Sequence, residues 1–395
     1  MCLTCKGGRL LCGLHYCPIL KKVEYQKPSE LKLSSHMFGP SPSIFVGWGG
    51  WPDVSVGPLT SMHGDDVYIS DDPSSWQSLG FEDIIRIRSS LIRSKSRVNV
   101  KLKNRFISEN QQIAMSVKPV DVETHFKKKP SFSMSFSPVS QPMGPSADLL
   151  SFDVSSNPTI PQKVDYIASD EVTSSYALST LFEKDFNVYY LTRVLSSGSL
   201  GIQDKKKLVP TRWSITAVDD ILGKHLMKRI RDYPSINEFQ LFSNTYLENH
   251  FEILLIPGAW EFEQFEAWAP QTFWTSGATE PQIAYEHEKH EGRWDYALNE
   301  GGGYYAGRFG VCEAMDRMRR QARAIVFREI YEGYVVPVGV WEVRENVRWA
   351  MKSKPKKFQT LSEALKDAAT RLRIPLKKYT EKSEILRQKR LTDYT

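Results

Sequence analysis

Two stretches decide the fold class: Thr216-Ala-Val-Asp-Asp-Ile-Leu-Gly-Lys-His-Leu-Met-Lys-Arg-Ile-Arg-Asp-Tyr233 and Phe251-Glu-Ile-Leu-Leu-Ile-Pro257. In the first, Val218, Ile221, Leu222, Leu226 and Ile230 recur on one helical face, and Thr216 stands where an N-cap belongs. The second is a short apolar run, a buried strand or helix segment. The same mixture continues outward. Ser169–Glu183 reads as a helix, Val188–Val194 as a strand, Ala324–Phe327 as another buried segment and Val335–Val343 as a strand. Upstream, Ile44–Val46 and Val54–Val56 read as short strands separated by Gly47–Trp51, where glycine lets a backbone or ligand approach closely. Phe81–Ser94 carries a helical stripe of Phe81, Ile84, Ile85, Leu91 and Ile92, with Arg86, Arg88 and Arg93 off it on a solvated face. The expected class is α+β (mixed α/β). The pattern does not fix the strand order.

Ser and Pro fill 15 of the 37 positions in 127–163, a linker-like composition that places a soft boundary there, with a packed irregular strap anchored by Phe132, Phe136, Leu149, Leu150 and Phe152 as the alternative. The expected organisation is a metal-binding motif over 1–22 and an amino-terminal α+β region over 23–150. A carboxy-terminal α/β region over 151–351 and a basic helix and tail over 352–395 complete it. Within the last, Leu361, Leu365, Ala368 and Leu372 share a stripe, Thr360 and Glu363 have capping-box spacing, and Pro375 ends the helix. Leu376–Thr395 is polar and basic, and is expected to be mobile.

The chain has 395 residues, 41% hydrophobic, 25% charged and 12% aromatic, enough apolar mass for a large core or two domains. No apolar run approaches the ~18 residues of a membrane span. No secretory signal pattern opens the chain. Net charge is +6, but residues 352–395 hold 13 Lys/Arg against 5 Asp/Glu, and residues 1–351 hold 39 against 41. A partner attracted by bulk charge would be met by the carboxyl end rather than by the near-neutral body.

Four of the five cysteines lie within the first 17 residues. Stapling disulfides would be spread across the fold, so the clustering points to metal in a reducing compartment. Cys2, Cys5, Cys12 and Cys17 offer the four soft ligands of a closed, structural zinc site. Lys6, Arg9, Lys21 and Lys22 would offset its charge. His15 is an alternative fourth ligand and an iron–sulfur cluster an alternative occupant.

Three further patterns bear on chemistry. Lys207-Leu-Val-Pro-Thr-Arg-Trp-Ser-Ile-Thr216 sets Arg212 and Trp213 just before a helix start, where unpaired N–H groups and a guanidinium suit phosphate. An Arg212–Asp219 pair is the plainer alternative. Gly301-Gly-Gly-Tyr-Tyr-Ala-Gly-Arg-Phe-Gly310 leads into an arginine-rich helix. Arg308, Arg319 and Arg320 would meet phosphate there, and Tyr304 or Tyr305 would stack on a base, although neither a Walker loop nor a dinucleotide fingerprint is present and a glycine-rich turn with a charged helix face is the alternative. Tyr285–Arg293 and Trp260–Glu266 are dense in carboxylates and imidazoles. They read as a solvated acidic face, with Mg²⁺ binding for phosphodiester cleavage as the alternative. Were Arg212, Arg308 and Glu288 to converge, the chain would read as an enzyme on nucleic acid or nucleotide.

At the carboxyl end Gln388, Leu391 and Tyr394 have the spacing of a sliding-clamp peptide. Its apolar pair enters a hydrophobic pocket while the Gln anchors by hydrogen bonds. Thr395 stands where such peptides usually carry a second aromatic.

Taken together, CLTCKGG (2–8), GPSPSIFVG (39–47), VGPL (56–59), LVPTRWSITAVDD (208–220), GGGYYAGR (301–308) and VPVGVWEVRE (336–345) resemble the archaeal Nre family of DNA repair proteins over nearly the whole chain. The resemblance implies a cytoplasmic archaeal protein acting in DNA damage repair. It implies a four-cysteine zinc motif at Cys2, Cys5, Cys12 and Cys17. It also implies a tail, Gln388, Leu391 and Tyr394, that binds the sliding clamp (PCNA). It supplies no catalytic residue. The expectation is a repair factor recruited by the clamp and contacting DNA, with the enzyme reading as the alternative.

Overall fold

The computed structural model describes residues 33–388 except 63–66, 133–140, 273 and 276, together with 5, 7–11, 13, 15–17, 20, 21 and 24. Its strands and helices run in chain order β1 (His36–Ser41), β2 (Ser43–Val46), β3 (Asp53–Ser61), α1 (Phe81–Ser89), β4 (Leu91–Asn99), α2 (Arg105–Met115), β5 (Val120–Phe126), β6 (Ser146–Val154), α3 (Gln162–Ser169), α4 (Ser174–Phe182), α5 (Val188–Ser196) and α6 (Thr211–Ile230). They continue through β7 (Phe239–Tyr246), β8 (Asn249–Ile256), β9 (Glu261–Trp268), β10 (Gln282–Glu288), α7 (Gly302–Met318), β11 (Arg323–Ile330), α8 (Trp341–Lys352), β12 (Lys356–Phe358), α9 (Leu361–Ala369), α10 (Leu376–Thr380) and α11 (Glu384–Arg387). The mixed α and β class expected from the sequence is what these elements form.

The chain divides into two compact units, 23–222 and 1–22 with 223–395. The division falls inside α6, not at 150/151, which cuts through β6. The Ser/Pro-rich segment supplies that strand, which pairs with β5 and, in parallel, with β4. Composition missed this because β6 alternates buried Ala147, Leu149 and Phe152 with exposed residues, a pattern hidden under many serines and prolines.

The 23–222 unit is built on a six-stranded sheet ordered β1-β5-β6-β4-β3-β2. Its core gathers Val54, Val56, Ile92, Ile107, Val122 and Phe152. β5 shows strict alternation: Val120, Val122, Thr124 and Phe126 are buried, while Asp121, Glu123 and His125 lie on the more open face. The other unit holds a second six-stranded sheet, β10-β9-β11-β8-β7-β12. Its β9–β11 pair is parallel and its other pairs antiparallel. Leu254, Ile256, Phe265, Phe327, Ala368 and Tyr379 belong to its core.

Several local expectations change. Phe81–Ser94 is not one helix: α1 stops at Ser89, Ser90 caps it by donating its N–H to Arg86, and the chain turns into β4. Of the expected Ser169–Glu183 helix only α4 is helical: Ser169 is the last residue of α3, and Thr173 caps α4. Val188–Val194 is helix α5 rather than a strand. The β-branched and aromatic side chains suit a strand, but the Asn187 side chain accepts from Tyr190 N at 2.8 Å and nucleates a helix buried on most sides. Val335–Val343 is not a strand either; irregular backbone with Pro337 and a positive-φ Gly339 leads to Trp341, which opens α8. α6 starts at Thr211, so Thr216 is inside the helix and not its cap.

The basic carboxyl end is largely folded. Thr360 and Glu363 form the expected capping box, worth about 1 kcal/mol. Beyond Pro375, α10 and α11 are packed through buried Tyr379 and Ile385. Tyr379 Oη donates to Glu329 at 2.8 Å, and Ser383 Oγ to Glu263 at 2.5 Å. Lys356–Asp367, Lys357–Glu238, Arg371–Glu252 and Lys378–Glu280 neutralise much of the segment's charge. The expectation of a mobile chain from Leu376 therefore fails up to Gln388. No described helix is long and apolar enough to cross a membrane.

Candidate nucleic-acid interface

In the 23–222 unit, three chain segments bring three exposed tryptophans and two cations together, and Arg97 of β4 adds a third cation. The first is the β2–β3 loop, Gly47-Trp48-Gly49-Gly50-Trp51-Pro52. Its turn is closed by Asp53 N donating to Gly50 O at 2.9 Å, and Gly50 has φ +81°. Only glycine takes that conformation freely, and a side chain there would also meet the Arg97 guanidinium, which lies over this residue. The second segment carries Lys207 and is pinned where Leu208 N donates to Val100 O at 2.9 Å. The third is the first turn of α6. Thr211 Oγ1 accepts from Val46 N at 3.0 Å, tying the helix start to the end of β2. Arg212 and Trp213 follow directly.

The side chains then meet. Trp51 and Trp213 have ring centroids 5.0 Å apart at 52°. Lys207 Nζ sits 5.5 Å from the Trp51 centroid, and the Arg212 guanidinium 5.9 Å from that of Trp48. Trp48, Trp51 and Trp213 are 56%, 39% and 43% exposed. Exposed indoles are costly surface. Lys207 and Arg212 each meet a ring through its π face, the face that leaves a cation free to reach a phosphate. Fixed aromatic planes flanked by Lys and Arg are the parts of a single-strand binding surface: the rings stack on bases and the cations meet the backbone. The sequence reading picked out Arg212 and Trp213 but not Trp48, Trp51 or Arg97. Two tryptophans in a Gly-Trp-Gly-Gly-Trp loop were the available signal, since a glycine loop cannot bury them.

The other phosphate candidates have different surroundings. The glycine-rich stretch is helix α7, not a loop. Gly303, Gly307 and Gly310 form one stripe, where an added Cβ would meet Glu266 at 3.0 Å, the Gln264 carboxamide and Val347 at 2.8 Å. These glycines serve the close approach of α7 to β9 and α8. Arg308 is fully buried, paired with equally buried Glu288 at 2.5 Å. Tyr305 is 5% exposed and its hydroxyl accepts from Ala297 N at 3.0 Å. Neither is open to a nucleotide. Arg319 and Arg320 stay exposed at the opposite end of α7. Arg308 and Glu288 do meet, but Arg212 belongs to the other unit.

Within the strands, the carboxylate-rich stretches are not a solvated face, since Glu263, Glu286 and Glu288 are buried; Lys289, His290 and Glu291 beyond β10 are exposed. These stretches form the paired strands β9 and β10, and their inward carboxylates are matched by arginines. Glu286 pairs with Arg293 at 2.9 Å, and Glu288 with Arg308. Arg328 is shared by Glu266 at 2.9 Å and Glu342 at 3.2 Å. Burial, with Glu266 nearby, raises Glu300 well above the usual carboxylate range. Burial pushes Glu342 up to about 7 from its ordinary 4.5, against the lowering effect of Arg328 and Asn346 and with a smaller push from Glu266. A carboxyl with a raised folded pKa binds more protons in the native state. Its contribution to stability is complete below about pH 4.5 and is lost as pH rises through 7. Urea unfolding of Glu342→Gln at pH 5, 6.5 and 8 is therefore expected to improve relative to the native chain as pH rises, by on the order of 3 kcal/mol across the range. A difference independent of pH would refute the assignment.

At the amino end, Cys5 is buried and Cys17 half-buried. The Leu11 N–H, aided by those of Arg9, Gly7 and Leu10, holds the Cys5 thiol below its ordinary value against the opposing effect of burial. Cys17 Sγ lies over Gly7, 3.3 Å from where a Cβ would stand. Cys2 and Cys12 lie outside the described residues, as do Leu391 and Tyr394 of the clamp peptide. Gln388 is described; it is exposed and caps α11.

Comparison with known proteins places these features in a family. Residues 11–275 match the family model described as archaeal Nre, N-terminal, and residues 288–394 match archaeal Nre, C-terminal. DNA repair protein NreA of Archaeoglobus fulgidus is 41% identical over 94% of this chain and 93% of its own length. DNA repair protein NreB of the same organism is 35% identical over 98% and 97%. NreA of Haloferax volcanii is 34% identical over 87% and 85%. No solved structure matches. With both family regions present and relatives aligned over nearly their whole lengths, the chain belongs to the archaeal Nre family.

Proposed function

We propose that this chain is a cytoplasmic DNA repair factor that engages unstacked DNA through Trp48, Trp51 and Trp213, with Lys207, Arg212 and Arg97 on the phosphates. The observation that carries this reading is the pinned cluster of exposed indoles and cations. The names of the relatives, all DNA repair proteins, support it. The body is near neutral, so affinity rests on stacking with a few phosphate contacts. The test is a titration of fluorescently labelled single-stranded and duplex DNA with the intact protein at several salt concentrations. Tighter binding of the single strand, quenching of tryptophan emission and a shallow loss of affinity with salt are expected. Absence of binding at low salt would refute the reading.

Recruitment is assigned to Gln388, Leu391 and Tyr394 as a sliding-clamp (PCNA) peptide, and structural zinc to Cys2, Cys5, Cys12 and Cys17. When bound, zinc would hold the amino-terminal loop closed and take no part in chemistry. Gln388 directly follows α11, so the peptide leaves a packed helix rather than a long tether. Calorimetric titration of the sliding clamp is expected to give binding with the intact chain and none with a chain ending at Arg387. Equal heats from both would reduce the spacing to coincidence.

A further inference from the structure

We propose that His36, Glu123 and His125 form a surface site for a divalent transition metal of the zinc type, separate from the amino-terminal cysteines. The placement follows from strand register. His36 of β1 lies directly opposite His125 of β5. Phe126 N donates to Ser35 O at 2.7 Å, which makes His36/His125 the adjacent non-hydrogen-bonded pair, the kind that holds side chains closest. Glu123 lies two residues before His125, on the same open face of β5. His36 Nε2 is 2.7 Å and His125 Nε2 3.5 Å from the same Glu123 oxygen, and the three ligand atoms fall within 4.8 Å of one another.

Two neutral imidazoles and one carboxylate suit zinc. Ligand atoms around a tetrahedral zinc are separated by about 3.3 Å, given bonds of roughly 2.0–2.1 Å. The His125–Glu123 spacing already matches, and His36 must open by about half an ångström. The two rings are stacked, 4.4 Å apart and 12° from parallel, so both must tilt until their planes meet at the ion. Their side chains are 53% and 42% exposed, which leaves room for that rotation. Three protein ligands on an edge strand and its neighbour leave the fourth position to water, the form of an open site rather than a closed structural one.

The test uses the full-length chain, stripped with chelator and titrated with Co²⁺ alone. Thiolate-to-cobalt charge transfer reports a cysteine site, and weak visible bands without it report nitrogen and oxygen ligands. The native chain is expected to bind one cobalt ion of the second kind, and His125→Ala and Glu123→Gln none, with the charge-transfer signal unchanged in all three. Co²⁺ is also expected to raise the melting temperature of the native chain more than that of either variant. Far-UV circular dichroism confirms that the variants fold, and His36→Asn offers a third, milder change. Equal stoichiometry and equal visible bands in native and variant chains would overturn the proposal and leave a hydrogen-bonded histidine pair.

Discussion

Replacing Trp51 and Trp213 together by alanine is expected to weaken single-stranded DNA binding by about thirtyfold or more, since each of the two lost stacks is worth about 1–3 kcal/mol. The two rings touch each other and are partly exposed, outside the core, so the variant should stay folded, with stability within about 2 kcal/mol of native. Stacking and charge then separate experimentally. The tryptophan variant should lose affinity by a similar factor at every salt concentration, because no phosphate contact has gone. Lys207→Ala or Arg212→Ala should instead flatten the dependence of log affinity on log salt by about 0.7 each. Anisotropy titrations at three salt concentrations read both effects. Native affinity in the double tryptophan variant would remove the platform as the binding surface and turn attention to the exposed Arg319 and Arg320.

How much of this was legible follows from what each signal depends on. The hydrophobic periods of 216–233 and 251–257 report burial directly, and both give the elements found. The Thr360 box is a local rule and holds as written. Val188–Val194 misleads because intrinsic preference is weak beside an asparagine cap and burial on most sides. The Ser/Pro-rich segment misleads because composition does not see alternation. For the site, Arg212 and Trp213 stood out because a cation and an indole abut a helix start. Their partners Trp48 and Trp51 lie more than 150 positions away, and the tertiary bonds Val46–Thr211, Leu208–Val100 and Val100–Pro52 bring the two stretches together. The glycine stripe of α7 has the composition of a phosphate loop but the spacing of a helix packed against carboxylates. Glycine content alone does not distinguish those two uses. The histidine pair was invisible for the same reason as the tryptophans, since His36 and His125 meet only through strand register.

The carboxylates of β9 and β10 argue for a structural role in stability, and a second large effect tests it. Glu288→Ala leaves Arg308 without the carboxylate that neutralises it at 2.5 Å, with both side chains at zero exposure. Breaking a buried pair from one side costs about 3–5 kcal/mol, because the remaining charge stays in the interior. Glu288 also accepts from Tyr304 Oη at 2.9 Å, so the alanine removes a second bond from the same oxygen and exceeds the cost of the ion pair alone. The double variant Glu288→Met with Arg308→Met is expected to recover much of that loss, since a matched apolar pair removes the uncompensated charge along with the attraction. Urea unfolding of the native chain, both single variants and the double variant completes the cycle. If the double variant is as unstable as the sum of the singles, the pair is not coupled and the strands are held by packing alone. If the double variant is stable yet has lost an activity that the native chain shows on DNA, the buried pair belongs to a reacting centre, and the enzyme reading returns with Arg308 and Glu288 at its heart.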